Sequence, residues 1–157
     1  MAVSTDDIKT AYPLPVYNYR VELAGESVAF SEVSGLTVNY ATTTYKESPV
    51  ESGRTGPRVM HMPSQSEAVS ITLKKGMVRG KSIPVLYKWI SGTQINLIEK
   101  KDVYVRLMDE SGTPVVSWKV VNAFPTKLEA PGFDTNSNDA AIESMELMAD
   151  AVYIEEN

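Results

Sequence analysis

The chain has 157 residues, inside the ~100–200 usual for one domain, with 43% hydrophobic and 22% charged side chains. No cysteine is present, which excludes disulfides, thiolate nucleophiles and every cysteine-based zinc or iron–sulfur site. The formal net charge of −5 argues against a nucleic-acid binder, which carries a basic patch or stripe.

Residues 1–15 contain Asp6 and Asp7 but no apolar run, so no secretory signal peptide is expected there. No stretch approaches the ~20 apolar residues that span a bilayer, and synthesis in the cytoplasm is the expectation. Strict alternation then begins. Tyr17, Tyr19, Val21 and Leu23 face one way and Asn18, Arg20 and Glu22 the other, with Ala24-Gly25-Glu26 as a turn. Leu36, Val38 and Tyr40 repeat the pattern. Residues 42–66 fit neither period, holding Pro49, Gly53, Gly56, Pro57 and Pro63 among polar residues. They read as one long connection in which Arg58 to Met62 form a short strand at most, and a connection of that length inside a domain is functional or disordered.

Val69, Ile71 and Leu73 alternate again. From Ser82 the rhythm changes: Val85, Leu86, Trp89 and Ile90 lie on one helical face. Ser82 is read as N-cap, Pro84 as a first-turn residue and Gly92 as the stop, giving a helix over about 83–91. Val103, Val105 and Leu107, a turn at Asp109 to Gly112, and Val116, Trp118 and Val120 read as a hairpin. Residues 125–139 are irregular, and Met145, Leu147 and Ala149 close the series. About six or seven strands and one helix make the chain mainly β (α+β), one domain over 1–157 with sheets packed on each other and the helix at one side.

Chemistry is sparse. Gly76-Met77-Val78-Arg79-Gly80-Lys81-Ser82 sits between a strand and a helix, but a phosphate loop needs four residues between its glycines. Here three intervene, and the position where the first glycine belongs is Lys75. Lys74, Lys75, Arg79 and Lys81, and likewise Lys100 and Lys101, read as solvated charges at strand ends. His61 is the sole histidine, so it has no ligand or triad partner of its own type and reads as a packing or interface residue. Ser34 lacks the G-x-S-x-G elbow. Asp134, Asp139, Glu143, Glu146 and Asp150 cluster late, without the spacing that marks a glycosidase pair. Asp134-Thr135-Asn136-Ser137-Asn138 starts like a calcium loop and does not continue as one, so a turn of Asx residues is expected. No catalytic, cofactor or metal residue is assigned.

The structural motifs are more specific as a set. Tyr12-Pro13-Leu14-Pro15-Val16-Tyr17, Phe30-Ser31-Glu32-Val33-Ser34-Gly35-Leu36, Met62-Pro63-Ser64-Gln65 and Ile71-Thr72-Leu73-Lys74-Lys75-Gly76 follow one another. Then come Leu86-Tyr87-Lys88-Trp89-Ile90, Glu99-Lys100-Lys101-Asp102-Val103, Asn122-Ala123-Phe124-Pro125 and Glu146-Leu147-Met148-Ala149-Asp150. In order and spacing they resemble the tail tube proteins of contractile-tailed phages and of phage-derived contractile injection systems. The resemblance implies two packed antiparallel sheets in a barrel-like sandwich with a flanking helix, and homo-hexameric rings whose inner sheets join into one larger barrel. It further implies rings stacked into a hollow inner tube inside a contracting sheath, and contacts with baseplate, spike and adjacent tube proteins. A payload or DNA would pass through the lumen without specific binding, and the finished particle would be a phage tail or a released injection device. No enzyme activity and no cofactor are implied.

The region from Tyr45 to Met62 looks longer than in the simplest tube subunits. In this family that connection reaches the neighbouring ring, which nominates Tyr45, Lys46, Val50, Arg54, Arg58, Val59, Met60 and His61 as subunit-interface residues. A tube-initiating ring next to the baseplate is the alternative within the same machine. A small β-barrel module for carbohydrate or single-stranded nucleic acid is the rival of a different class. Such a module would interleave surface aromatics with basic residues, whereas Tyr17, Tyr19 and Trp118 are expected on apolar strand faces.

Overall fold

Side chains alternating across a strand put every second residue on one face, and in β6 (Val69–Gly76) that face holds Val69, Ile71 and Leu73, all buried. Their register partners on β9 (Ile142–Ala149) are Ala149, Leu147 and Met145, buried in turn. The computed structural model describes residues 2–80, 82–95 and 97–156. The remaining strands are β1 (Tyr19–Leu23), β2 (Glu26–Val28), β3 (Glu32–Ser34), β4 (Tyr40–Glu47) and β5 (Arg58–Ser66), followed by β7 (Lys101–Met108), β8 (Pro114–Glu129) and β10 (Ala151–Glu156).

Two antiparallel sheets share β8. The first runs β2-β1-β7-β8-β10 and the second β8-β9-β6-β3. Val116 to Val121 pair with β10, while Phe124 to Glu129 pair with β9. The strand changes sheet at Asn122, which takes a left-handed φ of 54°, a conformation Asn adopts more readily than most residues. Two carboxylates clip the bend: the Asn122 N–H donates to Asp102 Oδ1 at 3.1 Å, and its Nδ2 donates to Asp150 Oδ2 at 2.9 Å. Strands that switch sheets do so through bulges and bends of this kind.

Val21, Leu23, Val103, Val105, Val120 and Val152 of the first sheet meet the β6 and β9 rows of the second in one core. Each such side chain contributes about 1.5–3 kcal/mol on burial. Leu86 and Trp89 cover one side of this core, with Val85 and Ile90 packed against it, so the expected helical face is the buried one. The helix itself is irregular. Ile83–Tyr87 is a π-helical turn in which the Lys88 N–H reaches the Ile83 carbonyl, and α2 (Lys88–Ser91) completes it before Gly92. Ser82 is not a side-chain cap; its hydroxyl accepts the Val78 N–H at 3.0 Å. Trp89 Nε1 donates to the Glu99 carbonyl at 2.8 Å, which satisfies the indole of a buried ring.

The β7–β8 hairpin has the expected register, Val105 opposite Trp118 and Leu107 opposite Val116. Asp109 Oδ1 accepts the N–H groups of Ser111 and Thr113 in its turn. Other expectations are corrected. Tyr17 is 82% exposed and precedes β1. Leu36, Val38 and Tyr40 do not form one strand: β3 ends at Ser34, and Gly35 turns with φ 90° against the Ser70 carbonyl, where a Cβ would collide. Leu36 still packs on the core, while Val38 and Tyr40 are exposed. Residues 125–129 belong to β8. The helix count is also corrected, because α1 (Thr5–Ala11) precedes the sheets, capped by Ser4 Oγ, which accepts the Asp7 N–H at 3.1 Å. It buries no residue, so apolar periodicity could not announce it. The sandwich is open, and β2 and β10 each pair on one side only.

Candidate assembly interface

The long connection expected over 42–66 is a β-hairpin. Tyr40–Glu47 pairs with Arg58–Ser66 as a separate two-stranded sheet, with a register shift between Tyr40 and Thr42. Its sequence, Tyr40-Ala41-Thr42-Thr43-Thr44-Tyr45, is rich in residues that favour extended backbone, yet it offers no apolar row. Only Ala41, Glu47 and Met60 are even half-buried. A two-stranded ribbon of this kind is marginally stable alone.

Register sorts the nominated residues onto two faces. Tyr45 opposes Met60 and Thr43 opposes Met62 on one face, which ends in the Glu47–Arg58 pair at 3.8 Å. Thr44 opposes His61 and Lys46 opposes Val59 on the other, where Thr44 Oγ1 and His61 Nδ1 lie 3.1 Å apart. Val50 and Arg54 lie in the tip; Val50 is 100% exposed and Arg54 pairs with Glu51 at 2.9 Å. The eight residues are therefore on one projecting element but not on one surface. Met62, which the sequence reading omitted from the set, joins Tyr45 and Met60 on the apolar face, and the period-two spacing Met60–Met62 was its signal. Lys46 has no ion pair among the described residues.

Elsewhere the chemistry stays thin. In the loop that resembles a phosphate cradle, the Ser82 hydroxyl and backbone N–H both engage Val78, so these groups are turned inward on their own loop; Lys81 lies outside the described residues. Asp134 Oδ1 accepts the Asn136 N–H at 3.0 Å and Ser137 Oγ accepts that of Asp139 at 3.1 Å, the Asx-type turn expected. Among the described residues no group of three His, Cys, Asp or Glu could hold a metal ion, and no helix is long and apolar enough to cross a membrane.

Residues 15–152 match the family described as "T4-like virus tail tube protein gp19". No curated protein matches the sequence. Among solved structures, a chain of the extended sheath–tube complex of an extracellular contractile injection system, PVC, is 39% identical, with a TM-score of 0.88 over 99% of this chain and 100% of that one. A chain of the tube-terminating cap of the anti-feeding prophage is 42% identical, with a TM-score of 0.84 and complete coverage of both chains. A chain from the PVC sheath/tube terminator is 40% identical, with a TM-score of 0.82 over 93% of this chain and 99% of that one. The order of elements, the open double sheet and these matches together establish that the chain belongs to the tail tube protein family of contractile-tailed phages and contractile injection systems.

Proposed function

We propose that this chain builds the inner tube of a contractile injection system, as hexameric rings stacked into a hollow conduit that sheath contraction drives through a target envelope. The observation that carries this reading is the likeness, nearly complete over both chains, to a chain of a sheath–tube complex. The open sandwich supports it. Edge strands invite pairing with another chain, and closure into a shared barrel removes that liability. Head-to-tail stacking is a heterologous contact and therefore propagates. The β4–β5 hairpin makes the ring-to-ring contact, because Tyr45 and Met62 on its apolar face are exposed and Met60 between them is only half-buried.

A second reading within the same machine is a terminal ring, favoured by the likeness to chains of two tube-terminator structures. The two readings differ in whether assembly continues. A bulk tube subunit elongates into tubes as concentration rises, whereas a terminal ring stops at a disc. Light scattering and negative-stain images across concentrations distinguish them, and monomers throughout would refute both. Replacing residues 46–61 with a short Gly/Ser linker tests the hairpin. The expected result is a near-native melting transition with stacking lost. Normal stacking would remove the hairpin from the interface, and failure to fold would assign it to the core.

A further inference from the structure

A chain without cysteine confines its sulfur redox chemistry to methionine, of which this one has seven. A thioether is oxidised where solvent reaches it, and a core methionine is shielded until the fold opens. The described methionines divide on that criterion. Met108 and Met145 are buried, whereas Met62, Met77 and Met148 are exposed, Met62 at 42%. Met60 is half-buried, and Met1 lies outside the described residues.

The three exposed thioethers differ in setting. Met148 lies between the buried Leu147 and Ala149 on β9, in register with Ser70, and so points away from the core. Met77 follows β6, with its N–H donating to the Ala141 carbonyl at 2.9 Å. Met62 alone among them sits on the β4–β5 ribbon, on the same face as Tyr45 and Met60. That apolar face is small, and a single added oxygen changes its character. A sulfoxide replaces a flexible apolar group with a polar, chiral one. The ribbon buries no side chain fully, so the change leaves the core of the two sheets untouched.

We propose that Met62 is an oxidation site through which hydroperoxides block stacking without unfolding the subunit. The inference rests on the stacking contact stated above. The sulfur lone pair attacks one oxygen of hydrogen peroxide. The O–O bond breaks, an S–O bond forms, and the second oxygen leaves as water carrying both protons. Sulfur is oxidised by two electrons and the peroxide is reduced by two. The chain contributes access, and access depends on assembly: Met62 meets water in a free subunit and is covered within a stack. Peroxide therefore acts on unassembled subunits and spares formed stacks. Methionine sulfoxide is enzymatically reducible, so the block is reversible.

The test treats unassembled protein with hydrogen peroxide and follows each methionine by peptide mass spectrometry, alongside melting and the concentration at which rings stack. Met62 is modified well before Met108 and Met145, and the melting transition is retained. A polar group without a partner in an apolar contact raises the stacking concentration by about tenfold, and methionine sulfoxide reductase restores it. The effect of peroxide on a variant is read as the ratio of its stacking concentrations with and without treatment, which removes the variant's own starting value. Met62→Leu keeps the volume and removes the sulfur, and brings that ratio close to one. The double variant Met77→Leu/Met148→Leu keeps the wild-type ratio. Modification of Met62 no faster than that of Met145, or an unchanged ratio in Met62→Leu, overturns the oxidation site and leaves the tube assembly standing. Untreated wild-type protein that never stacks overturns the block together with the assembly.

Discussion

The β6–β9 pair and the β4–β5 hairpin are both antiparallel ladders with eight or more residues in each strand, and their stability has opposite origins. β6 and β9 bury Val69, Ile71 and Leu73 against Ala149, Leu147 and Met145. The hairpin makes the same backbone hydrogen bonds while its side chains remain in water. Net stabilisation per hydrogen bond is only about 1 kcal/mol, comparable to the ~1–2 kcal/mol that ordering a residue's backbone costs. A ladder without a buried face is thus close to neutral. One region carries the fold, and the other adds little to it.

The contrast breaks most visibly at the core. Trp89→Ala should cost about 3–5 kcal/mol, through lost contacts and an orphaned Glu99 carbonyl, lowering Tm by roughly 10 °C. An unchanged denaturation midpoint would mean that the helix does not anchor the sheets. Gly35→Ala comes next, at about 2–4 kcal/mol, because it combines a left-handed backbone with a collision against β6 at the Ser70 carbonyl; urea unfolding measures it. On the other side of the comparison, Val59→Ala in the hairpin should change subunit stability by no more than about 0.5 kcal/mol. A loss comparable to that of Trp89→Ala would show that the ribbon is part of the core.

The smallest effect is a pH dependence. Burial, and then the negative charge of Glu32, raise the Tyr19 phenol above its ordinary 10.0, and its hydroxyl donates to the Phe30 carbonyl at 2.8 Å. A folded pKa above the unfolded one means that the native state holds its proton longer. The contribution is intact below pH 10.0 and is lost as pH rises through the folded value. Tyr19→Phe should flatten that alkaline decline in thermal melts, and an unchanged slope would refute the assignment.

Most of the core was legible because burial wrote itself at period two. The rows at 69/71/73, 103/105 and 145/147/149, and the helical face of Leu86 and Trp89, all occupy the core as expected. Of the hairpin only Arg58 to Met62 was legible as a short strand, because a ribbon without a buried face leaves little apolar alternation beyond Met60 and Met62, and Pro63 within β5 reads as a breaker. Pro63 is tolerated there because the ribbon is a pair of edges. β10 was missed although Val152 reaches the core, since its exposed residues Tyr153 and Ile154 blur the pattern. Glu143 was grouped with Asp134, Asp139, Glu146 and Asp150 as one of a late cluster of carboxylates, and its burial was not anticipated. Its place two residues before Met145 continued the buried row, and a period-two count through that row would have found it.

The sharing of β8 by both sheets has a mechanical consequence. Two layers joined only by side-chain contact yield under shear by sliding, because dispersion and hydrophobic contacts are non-directional. Here a thrust delivered to one layer passes to the other along the covalent backbone of a sixteen-residue strand. The bend that redirects the load is clamped by two side-chain carboxylates at Asn122. The chain thereby responds to force as a single stiff body, its two layers unable to slide apart without straining that strand.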